Sequence, residues 1–490
     1  MFVVIPLDRD LLLFWSLRSY YVRRMEVNTV QKKIFRIKEI GLIIFIITIN
    51  LIIFTNSFFH NPSIGYDAES HLKNIQIYPF DIPTPEESRE FFSPPLPYFL
   101  PSLVNIICLA QGGENCISMA GRSALYINFL LSIFISLFFW KISEKIDPGN
   151  INLKWLVFVN LGTLTVYYKT FSQVRGEPYI AFFVVLLIYY ILTILENLKS
   201  DRVFYKNAIV LGLILGCSIL SRQWAFFIIP ALLIVFILIW MKKAKIRKKL
   251  SVFFLITMSI TIFIGCWFYL FLQSKYGTIT AFNLDSPGFS FLNQPQLFYR
   301  ATGLKHFLLF KEPVRPIFNF TFFPILYSDT WGDYWGYFSY FPSTTDALYM
   351  KTYLGRVNIT SIIPTILIVV SFWGIVFDIF KNKKHFFETN LPIIELLLIL
   401  VIIFTTIGFL WFVISYPEKT DGDTVKSTYI IQAIILFPLL VGIYLKEKIR
   451  NNSKLWVVLI VTVGAIFITN FLAFFSFSVP LTFIKKVFLY

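Results

Sequence analysis

Apolar runs of about 20 residues recur along this chain, each long enough to cross a hydrocarbon core of about 30 Å as a helix. That recurrence limits the fold more than any single motif does, because lipid offers a backbone no water to bond with. The chain has 490 residues, 57% of them hydrophobic and only 15% charged, with a mean hydropathy of +0.69. A soluble protein of this composition would expose much of its apolar surface to water. The sequence therefore predicts an all-α polytopic membrane protein.

The formal net charge of +16 does not point to nucleic acid. Lys and Arg cluster in short loops between apolar runs, the distribution expected of cytoplasmic loops facing anionic lipid. Aromatic residues make up 19% of the chain, with 56 Phe, a residue suited to lipid-facing helix surfaces. The four cysteines have no metal-site spacing. Cys217 and Cys266 fall inside apolar runs as small core residues, whereas Cys108 and Cys116 can form a disulfide if both face an oxidising compartment.

Residues 1–39 form a basic N-terminal segment, with Arg18, Arg23, Arg24, Lys32, Lys33, Arg36 and Lys38. The patch Leu11 to Trp15 lacks a basic leader and a small-residue cleavage site, so it reads as an interfacial helix rather than a signal peptide. The alternative is a translation start at Met25. Basic residues before the first span, 40–58, place the N-terminus in the cytoplasm and the loop 59–121 outside. Within that loop, 98–110 is too short to cross and reads as a helix near the interface. Further spans are expected at 122–140, 155–171, 178–195, 207–221, 225–241, 250–272, 357–379, 391–415, 427–445 and 455–475, giving about 11 transmembrane helices. Basic clusters recur at every second boundary: Lys199, Arg202 and Lys206; Lys242 to Lys249; Lys381, Lys383 and Lys384; Lys446, Lys448 and Arg450. Lys485 and Lys486 run against this alternation. The organisation is thus a cytoplasmic segment 1–39, a membrane core 40–272, an external aromatic-rich loop 273–356 and C-terminal helices 357–490, with interfacial helices in the two large non-cytoplasmic loops.

Span interiors are nearly free of charge. Lys169, Asp378 and Glu395 lie towards span ends, where side chains can snorkel or meet headgroups. The unusual polar groups are external, which favours surface chemistry over ion-coupled transport. In Gly65-Tyr66-Asp67-Ala68-Glu69-Ser70-His71 three ionisable groups alternate just after the first span. On a helix Asp67 and His71 share a face with Glu69 roughly opposite, and in an extended segment all three share one. They read as an acid/base or metal cluster, or as a solvated loop. Arg175-Gly176-Glu177-Pro178 is a tight loop with Pro at a favoured first-turn position, which an Arg–Glu surface pair explains equally well. Arg122 and Arg222 stand at outer span ends as phosphate clamps or as topological anchors. Ser328 to Tyr337 mixes Trp331, Trp335 and Tyr334 with Asp329 and Asp333, a combination that suits sugar rings or an interfacial aromatic belt.

Taken in order, these stretches resemble the C-type (GT-C) membrane glycosyltransferases, which include protein O-mannosyltransferases and aminoarabinose transferases. The resemblance lies in Tyr66-Asp67-Ala68-Glu69, Ser93-Pro94-Pro95-Leu96-Pro97-Tyr98 and Ala120-Gly121-Arg122, then Gly176-Glu177-Pro178, Gly212-Leu213-Ile214-Leu215-Gly216 through Ser221-Arg222, and Asp423 to Tyr429. It spans residues 40–230 plus that late motif. The family's commoner pattern has adjacent acids where this chain has Asp67-Ala68-Glu69.

The resemblance implies transfer of a hexose or pentose from a polyprenyl-phosphate-linked donor to a glycan, glycolipid or protein acceptor on the non-cytoplasmic face of a bacterial plasma membrane. It implies Asp67 as general base, with Glu69 and Glu177 beside it. It implies Arg122, Arg222, Lys426 and Tyr429 as substrate-binding residues, to which the external features read above add Arg175, His71, Trp331 and Asp333. A divalent metal ion bridging Asp67 and Glu177 is one option, since some members use metals and others do not. No nucleic acid is expected as a partner, whereas membrane lipids are. The competing readings are a lipid or solute transporter or flippase, and a non-catalytic assembly factor.

Overall fold

The computed structural model describes residues 29–199, 205–279, 287–300, 304–318, 320–381, 389–417, 424–450 and 452–481. Met25 with Arg18, Arg23 and Arg24, and also Arg202, Lys383, Lys384, Asp423, Lys485 and Lys486, lie outside the described residues. The chain divides into two compact units, Met1–Ile44 and Phe45–Tyr490. Of the first, the described part is the start of one helix.

No strand occurs among the described residues. The helices in order are α1 Thr29–Phe59, α2 Ala68–Ile77, α3 Leu96–Ala110, α4 Cys116–Ile146, α5 Ile151–Gly162, α6 Thr165–Phe171, α7 Glu177–Lys199, α8 Tyr205–Ile219, α9 Ile228–Lys242 and α10 Arg247–Gly265. They continue as α11 Trp267–Tyr276, α12 Gln296–Tyr299, α13 Phe322–Trp331, α14 Ala347–Thr360, α15 Ile362–Lys381, α16 Leu391–Ser415, α17 Ile431–Ile434, α18 Phe437–Arg450 and α19 Ser453–Thr469. Among the described residues, eight segments are long and apolar enough to cross a membrane: Arg36–Phe59, Cys116–Ile146, Glu177–Leu198, Gln223–Lys242, Ala244–Gly265, Ala347–Lys381, Leu391–Ser415 and Ser427–Ile449. The protein is an all-helical, multi-pass integral membrane protein.

The remaining three expected crossings, 155–171, 207–221 and 455–475, occur as shorter helices. The first is broken at Thr163-Leu164 into α5 and α6. The break has a local cause. Asn160 Nδ2 donates to the Leu156 carbonyl, Thr163 Oγ1 donates to the Asn160 carbonyl, and Tyr168 OH donates to the Gly162 carbonyl. These side chains take up carbonyls at the end of α5 and favour termination. Leu96–Ala110, the expected interfacial helix, has 15 residues, and a disulfide joins Cys108 at its end to Cys116 at the start of α4.

Lipid supplies no hydrophobic drive for helices to associate, so close backbone approach and interhelical hydrogen bonds take over. The glycine-bearing helix α8 packs this way on α10. A Cβ on Gly212 would meet Ile260 Cβ at 2.8 Å, and one on Gly216 would meet Ile264 Cβ at 2.7 Å. Thr257 and Thr261 donate hydroxyls to the carbonyls of Ala208 and Gly212. Asn50 ties α1 to α4 by donating to Ser136 Oγ and accepting from Ser132 Oγ. Large apolar side chains point outward instead, among them Phe263 on α10 and Trp373, Phe377 and Phe380 on α15, as a hydrocarbon environment permits.

Candidate active site

The segment that follows α1 turns sharply. Gly65 has φ 149 and Asp67 has φ 53, a left-handed position that Asp tolerates better than most residues. Asp67 ends up as N-cap of α2 without spending its carboxylate on the cap. The helical alternative for this stretch holds: His71 is fully buried, while Glu69 on the next face is exposed. Asp67 Oδ2 lies 3.3 Å from Lys426 Nζ, and Oδ1 lies 4.0 Å from Arg89 Nη1. The Asp67 side chain keeps 14% of its surface exposed, more than any other carboxylate in the network described below. Burial opposes its ionisation, but Lys426, with His71, Arg175 and Arg89, outweighs that and holds the carboxyl well below the usual range.

The hairpin between α6 and α7 brings in the next group. Arg175 grips Glu177 with two parallel bonds, Nε to Oε2 at 2.7 Å and Nη2 to Oε1 at 2.8 Å. Arg222 Nε donates to the same Oε1 at 2.9 Å. Gly176 makes this approach feasible, because a Cβ there would fall 2.2 Å from the Ser221 carbonyl oxygen. The Arg–Glu pair expected at the surface is therefore a buried one, with both side chains at most 1% exposed. Arg222 also donates Nη1 to Glu90 Oε2 at 2.9 Å and to Ser93 Oγ, and Ser93 Oγ donates to Glu90 Oε2. Ser93 opens the Pro-Pro-Leu turn, so that turn delivers an acceptor to the cluster. His71 Nδ1 bonds Tyr98 OH at 2.7 Å, and its Nε2 is buried without a partner. Burial lowers the His71 pKa to about 4, with Glu90 and Glu177 pulling it up and Arg222 and Arg175 pushing it further down, so the ring is neutral at pH 7.

A third group closes the network. Lys169 does not snorkel: it is fully buried and donates Nζ to Asp329 Oδ1 at 2.5 Å and to the Asp329 carbonyl at 2.6 Å. The other lone pairs of Asp329 take Tyr66 OH at 2.7 Å, Ser427 N at 2.7 Å and Ser427 Oγ at 2.6 Å. Lys426 Nζ sits 5.0 Å from the Tyr66 ring centre and 5.5 Å from that of Tyr429. Arg175 stands 5.4 and 5.6 Å from the same two rings. Cations over aromatic faces gain from the ring quadrupole, most of all where water is excluded.

The structure thus gathers Asp67, His71, Arg175, Glu177, Arg222, Lys426 and Tyr429, and adds Tyr66, Glu90, Lys169 and Ser427, to which the sequence reading gave no site role, and Asp329, which it offered only as part of a sugar-binding mixture. It leaves others apart. Glu69 faces outward. Arg122 donates Nη1 to the carbonyls of Ser57 and His60 at 2.7 and 2.6 Å, satisfying free carbonyls at the C-terminal end of α1. Trp331 is 3% and Asp333 1% exposed; Asp333 lies beside the network, within electrostatic reach of Lys169, Asp329 and Tyr66, but bonds elsewhere. The Asp333 carboxylate accepts backbone N–H groups of Phe338 and Tyr340 and organises the loop that carries the aromatics.

Four buried or part-buried carboxylates (Asp67, Glu90, Glu177, Asp329) face four cations (Lys169, Arg175, Arg222, Lys426), each acid in at least one ion pair. A bridging metal between Asp67 and Glu177 does not fit this arrangement. Both Glu177 oxygens already accept from guanidinium groups, and Asp67 faces an ammonium. Among the described residues no group of three or more His, Cys, Asp or Glu is placed to hold a metal ion.

No protein-family model matches the sequence, and no curated protein matches it. Among solved structures, the chain is similar to the crystal structure of the Archaeoglobus fulgidus oligosaccharyltransferase in complex with Zn and sulfate, with 14% identity and a TM-score of 0.48. The match covers 88% of this chain and 53% of that one, so the chain spans about half the length of its structural relative.

Proposed function

We propose that this protein is a GT-C-type membrane glycosyltransferase. In this reading it moves a hexose or pentose from a polyprenyl-phosphate-linked donor to a glycan, glycolipid or protein acceptor on the non-cytoplasmic face. The N-terminus is then cytoplasmic, 59–121 and 273–356 are external, and 40–272 is the catalytic core. The observation that carries the reading is Asp67, a partly exposed and persistently ionised carboxylate at the rim of an otherwise buried, charge-balanced network just beyond the first span.

The chemistry follows from that position. The acceptor oxygen forms a bond to the anomeric carbon while the bond from that carbon to the phosphate oxygen breaks. The polyprenyl phosphate leaves with the electron pair, and the acceptor proton passes to Asp67. A carboxylate of low basicity takes that proton late, as the attacking oxygen becomes positive, and its charge stabilises the positive character of the sugar ring throughout. A positioned base of this kind contributes about 10²–10⁴ in rate. For the leaving phosphate, Arg175 and Lys426 suit better than Arg122 and Arg222. Arg175 Nη1 is buried without a partner, and both cations sit over the Tyr66 and Tyr429 rings beside Asp67. Arg222, by contrast, already binds Glu90, Ser93 and Glu177.

The test is reconstitution in vesicles with a radiolabelled polyprenyl-phosphate sugar and a glycan, glycolipid or peptide acceptor. Label in the acceptor supports the proposal. Movement of unchanged donor lipid between leaflets without transfer would instead identify a flippase.

A further inference from the structure

Asp329 occupies an unusual place in the network. It is fully buried, near the end of α13, and belongs to none of the stretches that carry Asp67, Lys426 or the two arginines. Its carboxylate holds Tyr66 on one side and Ser427 on the other, the chain neighbours of Asp67 and Lys426. Those two reactive side chains come from segments 359 residues apart, and a 3.3 Å pair between them needs something to set their spacing.

We propose that Asp329 is a positioning residue that fixes Asp67 against Lys426 by gripping the residue beside each, with Lys169 as its counter-charge. The inference rests on the reading that places transfer at Asp67. A buried ion pair is weak support for stability as such, since an apolar pair of similar volume often serves as well or better. What a fully satisfied buried carboxylate provides is a fixed direction for each donor. Here every bond points to a part of the site: Lys169 in α6, Tyr66 before α2, and Ser427 at the start of the last of the eight crossing segments. Tyr66 links the two halves again, because its ring lies under Lys426 while its hydroxyl bonds Asp329.

Two measurements test this, and only one needs turnover. In a chain with Cys217→Ser and Cys266→Ser, Asp67→Cys and Lys426→Cys are joined by a short bifunctional thiol reagent. The ion pair itself is absent there, so cross-linking speed reports how the anchors hold the two backbones. Adding Tyr66→Phe, Ser427→Ala or Asp329→Asn with Lys169→Met should slow cross-linking several-fold. In the otherwise unmodified chain, Tyr66→Phe and Ser427→Ala should lower kcat with little change in the donor KM, by up to about 10²-fold for a displacement of about 1 Å. If the Asp329→Asn, Lys169→Met chain fails to fold, the two hydroxyl deletions still decide the matter. Unchanged cross-linking speed in Tyr66→Phe and Ser427→Ala overturns the positioning role, whatever happens to turnover. Slowed cross-linking together with no transfer by the wild-type chain leaves the positioning role standing and refutes the glycosyltransferase reading instead.

Discussion

Arg222 separates a structural from a substrate-binding role most sharply. Its guanidinium is 2% exposed and serves Glu90 and Glu177 at 2.9 Å each. Arg222→Met keeps most of the volume but leaves Glu90, Glu177 and Arg175 with one uncompensated negative charge in a buried setting. Removing one partner of a buried pair costs about 3–5 kcal/mol, which is about two to four powers of ten in the unfolding equilibrium. Adding Glu90→Gln restores neutrality, because Arg175 still neutralises Glu177. The residual cost is then the lost hydrogen bonds, on the order of 1–2 kcal/mol. Denaturant unfolding of the detergent-solubilised protein, followed by tryptophan fluorescence, measures both. The double variant should be the more stable of the two. A single variant within about 1 kcal/mol of wild type, or a double variant no better than the single, refutes charge balance as the role of Arg222. Arg222→Lys with normal stability and weakened donor binding would return the residue to the phosphate.

Asp67→Asn should insert normally and lose about two orders of magnitude or more in transfer, while exposed Glu69→Gln should lose less; the reverse order in a vesicle assay would move the chemistry to Glu69. His71 is neutral when folded, with its pKa lowered to about 4 by burial from a usual value of 6.5, so between those pH values the unfolded chain binds a proton that the native state does not. Stability should therefore fall on acidification through that window by up to about 1.4 kcal/mol per pH unit, and His71→Gln should flatten the slope of melting temperature against pH; parallel slopes would contradict it. Gly176→Ala, with its Cβ 2.2 Å from the Ser221 oxygen, should disrupt the Arg175 hairpin and reduce folded yield, whereas Gly464→Ala, with nothing within 4 Å, should be neutral or stabilise α19 by about 1 kcal/mol. A cysteine at exposed Glu86 should react with an impermeant maleimide in intact cells, and one at exposed Lys248 only after permeabilisation; labelling in the opposite sense would invert the topology.

The helices were legible because lipid permits few alternatives, so long apolar runs read directly as α1, α4, α7 and α16. The break in 155–171 was less so: it depends on Asn160 and Thr163 bonding nearby carbonyls, and polar residues in an apolar run do not announce whether they will do that or face a neighbour. At the site, Asp67, Arg175, Glu177, Arg222 and Lys426 were visible as charges where charge is expensive. Their partnerships were not. Arg222 finds Glu90 across 132 positions, and Lys169 finds Asp329 across 160. Periodicity carries no information at that range, so the sequence marks Lys169 only as a charge towards a span end and does not single out Glu90.

A rule about burial would have narrowed the choice. Ionised side chains close to a bilayer are almost always paired with one another or with backbone carbonyls, so a buried Lys near a span end calls for a carboxylate or free carbonyls on another segment. The same rule separates two ways of failing. Glu90, Glu177, Asp329 and their cations neutralise one another, and losing any one leaves a buried charge that acts first on folding. Asp67 lies at the edge, with 14% of its side chain exposed and the exposed Arg89 4.0 Å away, and the buried cation that its loss leaves, Lys426, keeps the Tyr429 hydroxyl and the faces of Tyr66 and Tyr429. Substitutions in the interior of the network should therefore lower the amount of folded protein before they lower turnover per molecule. At Asp67 the order should be reversed, and that reversal is what a reacting group presented by a pre-neutralised scaffold requires.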